Sequence, residues 1–177
     1  MPAHTIGISG TLALPAINAI VRQAVASWEA TERVKRLAVS VYQYRREDLD
    51  HMWLLAATDC DGNLLGFAAL EPADDGAVPM SGRGVLLRGI YVHPDAMGSG
   101  IGKNLLQACA GIAAALGCSG LLVKAVRQST GFFERCGLQA LPPTTANEYP
   151  YRFWLAAGNP SFVTTSSEAA SHSGPSH

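Results

Sequence analysis

One stretch limits what this chain can become. Val85-Leu86-Leu87-Arg88-Gly89-Ile90-Tyr91-Val92 reads as a buried strand, rich in β-branched and aliphatic residues. Pro94 cannot donate to a ladder, so the strand is expected to end there. Gly98, Gly100 and Gly102 follow at alternate positions, and a helical pattern begins inside the cluster. Glycines let backbone N–H groups gather at a helix start with no Cβ in the way. A helix N-terminus offers free donors and a partial positive charge, which suits phosphate or pyrophosphate.

Three kinds of phosphate loop fit this description in outline. A nucleoside-triphosphate loop needs glycine, four residues, then Gly-Lys-Ser/Thr. Counting back from Gly102-Lys103, the first glycine falls on Met97 and the hydroxyl position on Asn104, so both ends fail. A dinucleotide loop needs G-x-G-x-x-G. Gly98-Ser99-Gly100 begins that pattern, but Lys103 stands where its last glycine belongs. The third pattern is Gln/Arg-x-x-Gly-x-Gly/Ala, and Met97-x-x-Gly100-x-Gly102 matches it except at Met97.

That third pattern is the pyrophosphate loop of the GNAT N-acetyltransferases, and the chain resembles this family in two further places. Ile90-x-Val92 followed by Pro94 resembles the strand before the loop. Gly131-Phe132-Phe133-Glu134-Arg135-Cys136-Gly137-Leu138 resembles the family's Phe-Tyr-x-x-x-Gly-Phe element. The likeness is direct over residues 84–138 and extends by element order over most of 4–156.

Composition narrows the alternatives. A chain of 177 residues with 48% apolar content and a net charge of −1 is long enough to bury a proper core and is expected to be a soluble globular domain. It lacks the basic excess needed to neutralise a nucleic-acid backbone. Cys60, Cys109, Cys118 and Cys136 form no Cys-x-x-Cys pair and no His/Cys cluster, which points away from a disulfide framework or metal site and towards a reducing cytoplasm. No apolar run is long enough to span a bilayer.

In chain order, residues 4–10 are expected to form a short strand, and Leu14, Ile17, Ile20, Val21, Ala24, Val25 and Trp28 recur at helical spacing behind Thr11 as N-cap. Trp28 is read as packing. Over 31–50, Leu37, Val39 and Val41 alternate like a strand. Tyr42, Tyr44, Arg45, Arg46, Glu47, Asp48 and Asp50 read as a solvated connection. Trp53–Thr58 and Leu64–Leu70 flank Asp59-Cys60-Asp61-Gly62-Asn63, a hairpin signal. Residues 72–84 form a loop. Ile101, Leu105, Leu106, Cys109, Ile112, Ala113 and Leu116 mark one helical face that Gly117 closes, so Cys109 is read as packing. Leu121–Val126 is a strand expected to lie parallel to the 85–93 strand. Ser129 is the expected N-cap of a short helix carrying Phe132 and Phe133, and residues 138–142 and 149–155 supply the last strands. The domain is placed at 1–156. Residues 157–177, Ser-rich and polar, read as a disordered tail.

The resemblance implies an α/β (α+β) fold, a mixed central sheet with two splayed parallel strands and flanking helices. It implies acetyl-CoA as co-substrate, held in the gap between strands 85–93 and 120–126, with Gly89 allowing a bulge that parts them. Backbone groups of Ile90, Tyr91 and Val92 would align the pantetheine arm as an added strand. Gly98, Ser99, Gly100, Ile101, Gly102 and Lys103 would hold the pyrophosphate, and Phe132 would line the channel. A backbone N–H near Val92 would polarise the thioester carbonyl. Partners would be acetyl-CoA and an amine, with no nucleic acid and no membrane; a homodimer is left open.

Three positions depart from the family. Met97 replaces Gln/Arg. Phe133 replaces a tyrosine that protonates the leaving thiolate, so Phe133→Tyr is expected to speed an acid-limited reaction. Leu86 replaces a general-base glutamate. An alkyl ammonium with a pKa near ~10.4 must still lose a proton before attack. Glu71, His93 and His51 are the candidate bases, acting through water. Tyr91 is expected to face the opposite side of the sheet from Ile90 and Val92. Tyr149, Tyr151, Arg152 and Trp154 suggest an aromatic acceptor wall, and acceptor pockets are expected from 31–51, 72–84 and 142–151. The function implied is direct acetyl transfer to an amine. The alternative is a module of the same fold that binds acyl-CoA without turnover.

Overall fold

The computed structural model describes residues 4–9, 14–74, 76–79, 81–143 and 150–158. Thr11, the expected N-cap, Tyr149 of the expected acceptor wall and nearly all of the Ser-rich tail expected to be disordered lie outside the described residues.

The elements run β1 (Thr5–Ile8), α1 (Leu14–Ala26), α2 (Glu32–Tyr42), α3 (Arg46–Leu49), β2 (Trp53–Thr58), β3 (Leu64–Pro72), β4 (Gly84–Val92), α4 (Ile101–Ala115), β5 (Gly120–Ala125), α5 (Thr130–Arg135), β6 (Gln139–Leu141) and β7 (Tyr151–Ala156). They build one sheet in the order β1-β2-β3-β4-β5-β7-β6. Among the described residues only β4 and β5 pair in parallel, as the strand–helix–strand unit through α4 requires.

The expected strand at Leu37–Val41 is instead part of helix α2. Thr31 caps that helix, its Oγ1 accepting from the Val34 N–H at 3.4 Å. Lys35 pairs with Glu32 at 3.3 Å and donates to the Ala26 carbonyl at 2.9 Å. Three apolar residues at alternate positions also fit a helix whose inner face is narrow. Ala38 is buried while Leu37 and Val41 are 58% and 68% exposed. Ser129 does stand before α5, but its hydroxyl donates back to the Val126 carbonyl instead of capping the helix.

The sheet is covered on both faces. On one, α4 lays Ile101, Leu105, Leu106, Cys109 and Ala113 against Leu87, Leu121, Val123, Phe153 and Leu155. On the other, α1 packs Ile17, Ile20, Val21 and Val25 against Leu54, Phe67 and Ala69, with α2 beside it. Each such fully buried aliphatic or aromatic side chain contributes about 1.5–3 kcal/mol of transfer free energy.

The feature that positions a site is where β4 and β5 separate. Their pairing runs from Gly84↔Gly120 to Leu87↔Val123 and stops. β4 continues through Val92 while β5 stays with β7, at Lys124↔Arg152 and Ala125↔Tyr151. On the other side of β4, Ala69 faces Gly89 but Leu70 faces Leu87, so Arg88 is bulged out. A bulge of this kind bends a strand away from its neighbour. The sequence placed it at Gly89; it lies one residue earlier.

Candidate active site

The open seam begins at the start of α4. Gly98 and Gly100 have φ of +79° and +86°, a left-handed backbone that only glycine adopts without strain. Gly100 is the N-cap, and Asn104 makes the first helical bond back to its carbonyl at 3.0 Å. The N–H groups of Ile101, Gly102 and Lys103 therefore precede the helical ladder. The first turn of α4 holds no acidic residue, so the helix end keeps its positive potential. Ile101 is 1% exposed and packed in the core, so it has only its backbone to offer a ligand. Lys103 is exposed, and the Met97 side chain is exposed too.

Several of the expected donor-binding residues converge here. A Cβ on Gly102 would lie 3.2 Å from the Phe132 ring and 3.7 Å from Val92 Cγ2. The end of β4, the first turn of α4 and the first turn of α5 thus meet around one glycine. Ile90 and Val92 pack on the α4 face of the sheet. Past Leu87 their strand has no β5 pairing, which leaves backbone groups on that side for a ligand to meet.

Tyr91 lies on the other face, as alternation predicts, and stacks on Phe67 with centroids 5.4 Å apart. Its ring faces a cavity on that side, so only its backbone remains for the donor arm. That cavity, about 380 Å³, is lined by Tyr42, Tyr44, Met52, Leu86, Arg88 and Lys124 among others. Of the three segments expected to form an acceptor pocket, 31–51 contributes. None of its described lining residues comes from 72–84 or 142–151. Of the described residues of the expected aromatic wall, none lines the cavity: Trp154 is buried with Leu86 and Leu122, Tyr151 is exposed, and Arg152 donates to the Ala77 carbonyl at 2.7 Å.

Tyr44 is the residue that sequence reasoning misplaced. It is 7% exposed, not solvated. The Asn18 side chain on α1 holds its backbone, and its ring meets Phe67 edge-on at 5.6 Å. A Cβ on Gly89 would stand 2.5 Å from its hydroxyl oxygen. Burial, and next the neighbouring Tyr91, push its pKa well above the usual phenol value, while Arg88 pulls the other way. The available signal was Asn18, whose side chain sits on a helix otherwise read only for its apolar face.

The candidate bases are scattered. Glu71 lies 3.7 Å from the Arg88 guanidinium and is not among the residues that line the cavity. His93 uses Nδ1 to accept from the Asp95 N–H at 3.2 Å, so it caps the turn at Pro94–Ala96. His51 is exposed and does not line the cavity. Leu86 is 7% exposed. Phe133 is buried in the core between Phe132 and Phe153, at 5.1 and 5.7 Å. Among the described residues no group of His, Cys, Asp and Glu is placed to hold a metal ion, and no helix is long and apolar enough to cross a membrane.

Residues 17–138 match the model of the acetyltransferase (GNAT) family. No curated protein sequence matches the chain. Among solved structures, a GNAT family acetyltransferase from Brucella melitensis in complex with acetyl-CoA superposes with TM-score 0.61 at 18% identity, over 89% of this chain and 90% of that one. The YhbS GNAT N-acetyltransferase of Escherichia coli, in complex with CoA, gives 0.63 at 17% identity over 92% and 86%. The ribosomal-protein-S18-alanine N-acetyltransferase of Escherichia coli gives 0.56 at 20% identity over 88% and 94%. At these identities the structures share the fold.

Proposed function

Because the chain belongs to the acetyltransferase (GNAT) family, we propose that it transfers the acetyl group of acetyl-CoA directly to an amine bound in the cavity between Tyr42 and Lys124. The observation that carries this reading is the seam. β4 and β5 part at Leu87/Val123, with the Gly102–Phe132–Val92 cradle at one end and the cavity at the other.

In this reading the N–H groups of Gly98 to Lys103 hold the pyrophosphate, and Ser99 contributes through its backbone. Ile90 and Val92 align the pantetheine arm. A backbone N–H of the 89–92 stretch polarises the thioester carbonyl, a donor fixed before reaction. The amine attacks without an acyl-enzyme, so the chain contributes mostly position. Proton loss from the amine runs through water. Glu71 is the one carboxylate among the three candidate bases, and the Arg88 guanidinium stands 3.7 Å from it. His93, tied to the Asp95 N–H, serves as a turn cap.

The second reading is a module that binds acyl-CoA without turnover. It is favoured by one pair of observations: Leu86 and Phe133, where relatives hold a base and an acid, are both buried and apolar.

A thermal shift with acetyl-CoA, against NADH and ATP, tests the seam. A ligand at 100 times its Kd stabilises by roughly 2.7 kcal/mol, several degrees for a domain of this size. A shift with NADH or ATP alone overturns the assignment. Thiol release over a panel of amines then separates the enzyme from the silent module.

A further inference from the structure

We propose that the Tyr44 hydroxyl donates a hydrogen bond, and during turnover its proton, to the sulfur of the departing CoA. The proposal rests on the reading just given and adds a residue to it.

The route of the donor sets where its sulfur stops. Its phosphates sit at the first turn of α4, and its arm follows the side of Ile90–Val92 that β5 has left. The seam closes at Leu87/Val123, so the arm ends beside Arg88 and Gly89. Two tyrosines face this point from the cavity side. Measured from the place a Cβ on Gly89 would take, Tyr91 presents ring carbons, Cε2 at 2.6 Å and Cζ at 3.4 Å. Tyr44 presents its hydroxyl oxygen, at 2.5 Å. The absence of a side chain at position 89 is what lets an O–H come down onto the strand.

Tyr44 is also held for a task. Its N–H and C=O are both bonded to Asn18, at 2.9 Å each, and its ring is wedged against Phe67. Phe133 has no proton to give and is buried in the core. The titratable and charged groups that act on Tyr44 are Tyr91, Arg88, Glu71 and Asp48, and Lys124 on β5 lines the same cavity. Of these Glu71 is paired with Arg88, and Asp48 accepts from the Arg45 N–H at 2.7 Å. With its pKa raised by burial, Tyr44 keeps its proton at neutral pH, the state a donor needs.

The step balances. The C–N bond forms and the C–S bond breaks. The sulfur leaves with the bonding pair and takes the Tyr44 proton, and the phenolate recovers one from the nitrogen through cavity water. Products are the amide and CoA thiol.

The test needs no knowledge of the amine. CoA and acetyl-CoA are titrated calorimetrically into the protein and into Tyr44→Phe, at about pH 7 and about pH 9, on either side of an ordinary thiol pKa. A hydroxyl on the sulfur stabilises bound thiolate. The wild type should then favour CoA over acetyl-CoA increasingly as pH rises, and Tyr44→Phe should lose about tenfold in CoA affinity at the higher pH. Retained acetyl-CoA affinity certifies that the variant is folded. An equal CoA to acetyl-CoA ratio in both proteins overturns the proposal. Loss of acetyl-CoA affinity with CoA binding kept also overturns it, because the hydroxyl then serves the carbonyl. If the wild type binds neither, the donor site itself is wrong, and the proposed function falls with it.

Discussion

Asn18 grips Tyr44 by its main chain: its Nδ2 donates to the Tyr44 carbonyl, and its Oδ1 accepts from the Tyr44 N–H, both at 2.9 Å. One amide side chain on α1 thus satisfies both backbone groups of a residue in an irregular connector. Asn18→Ala leaves those groups unpaired next to a buried ring. The expected cost is about 1–3 kcal/mol, read from urea unfolding. Asn18→Asp, which keeps the acceptor and loses the donor at neutral pH, should fall between the two.

Gly102 sets a different balance. Its φ is not in the left-handed region, so a side chain there does not strain the backbone. A Cβ would, however, lie 3.2 Å from the Phe132 ring. Gly102→Val should unfold within about 1 kcal/mol of the wild type, since helix propensity rises at this position. Acetyl-CoA affinity should fall about tenfold or more, equivalent to about 1.4 kcal/mol of binding. Parallel melting and calorimetric titration check both halves.

Phe133→Tyr is expected to disappoint as a repair. The sequence pattern suggests a missing acid there, but the ring is 3% exposed and sits between Phe132 and Phe153. A phenol hydroxyl at that place is buried without a partner, at about 1–3 kcal/mol. The variant should melt lower, with no gain in thioester cleavage. A rise in rate would mean that the hydroxyl reaches the seam.

Cys109 predicts an alkaline limit on stability. Burial against the sheet pushes its thiol from 9.0 up to about 12. An unfolded chain ionises this thiol sooner than the folded one. The contribution is therefore complete below pH 9.0 and is lost as pH climbs towards about 12. Burial of Tyr44 acts in the same direction. Stability in urea should decline over this range, and Cys109→Ala should flatten part of the decline. Alkylation of the native protein should mark exposed Cys60 and spare Cys109.

The legible part of this chain was the part with strong local rules. The hairpin from Trp53 to Leu70, the strand before Pro94 and the helix beginning among three glycines follow from turn chemistry and apolar spacing, and each stands where the pattern put it. Residues 31–50 were not legible. Leu37, Val39 and Val41 satisfy two periodicities at once, and the helix prevails through its Thr31 cap and through Ala38 and Tyr42 meeting the α1 side. The glycine-rich start of α4 could be read from backbone needs, since glycines announce themselves. The cavity side is built of side chains brought together across long separations, Tyr44 with Gly89 and Arg88 with Glu71. No spacing in the chain encodes those meetings.

The parting of β4 from β5 has a mechanical meaning. The sheet is two panels, β1 to β4 and β5-β7-β6, stitched by the residue pairs from Gly84 to Leu87. Across the stitch lies α4, whose apolar side touches Leu55 in one panel and Leu155 in the other. In the proposed reading, a linear molecule laid in the seam would work as a splint between panels. What grips it and what braces the protein are then the same contacts, so resistance to unfolding should track the amount of donor in the surroundings.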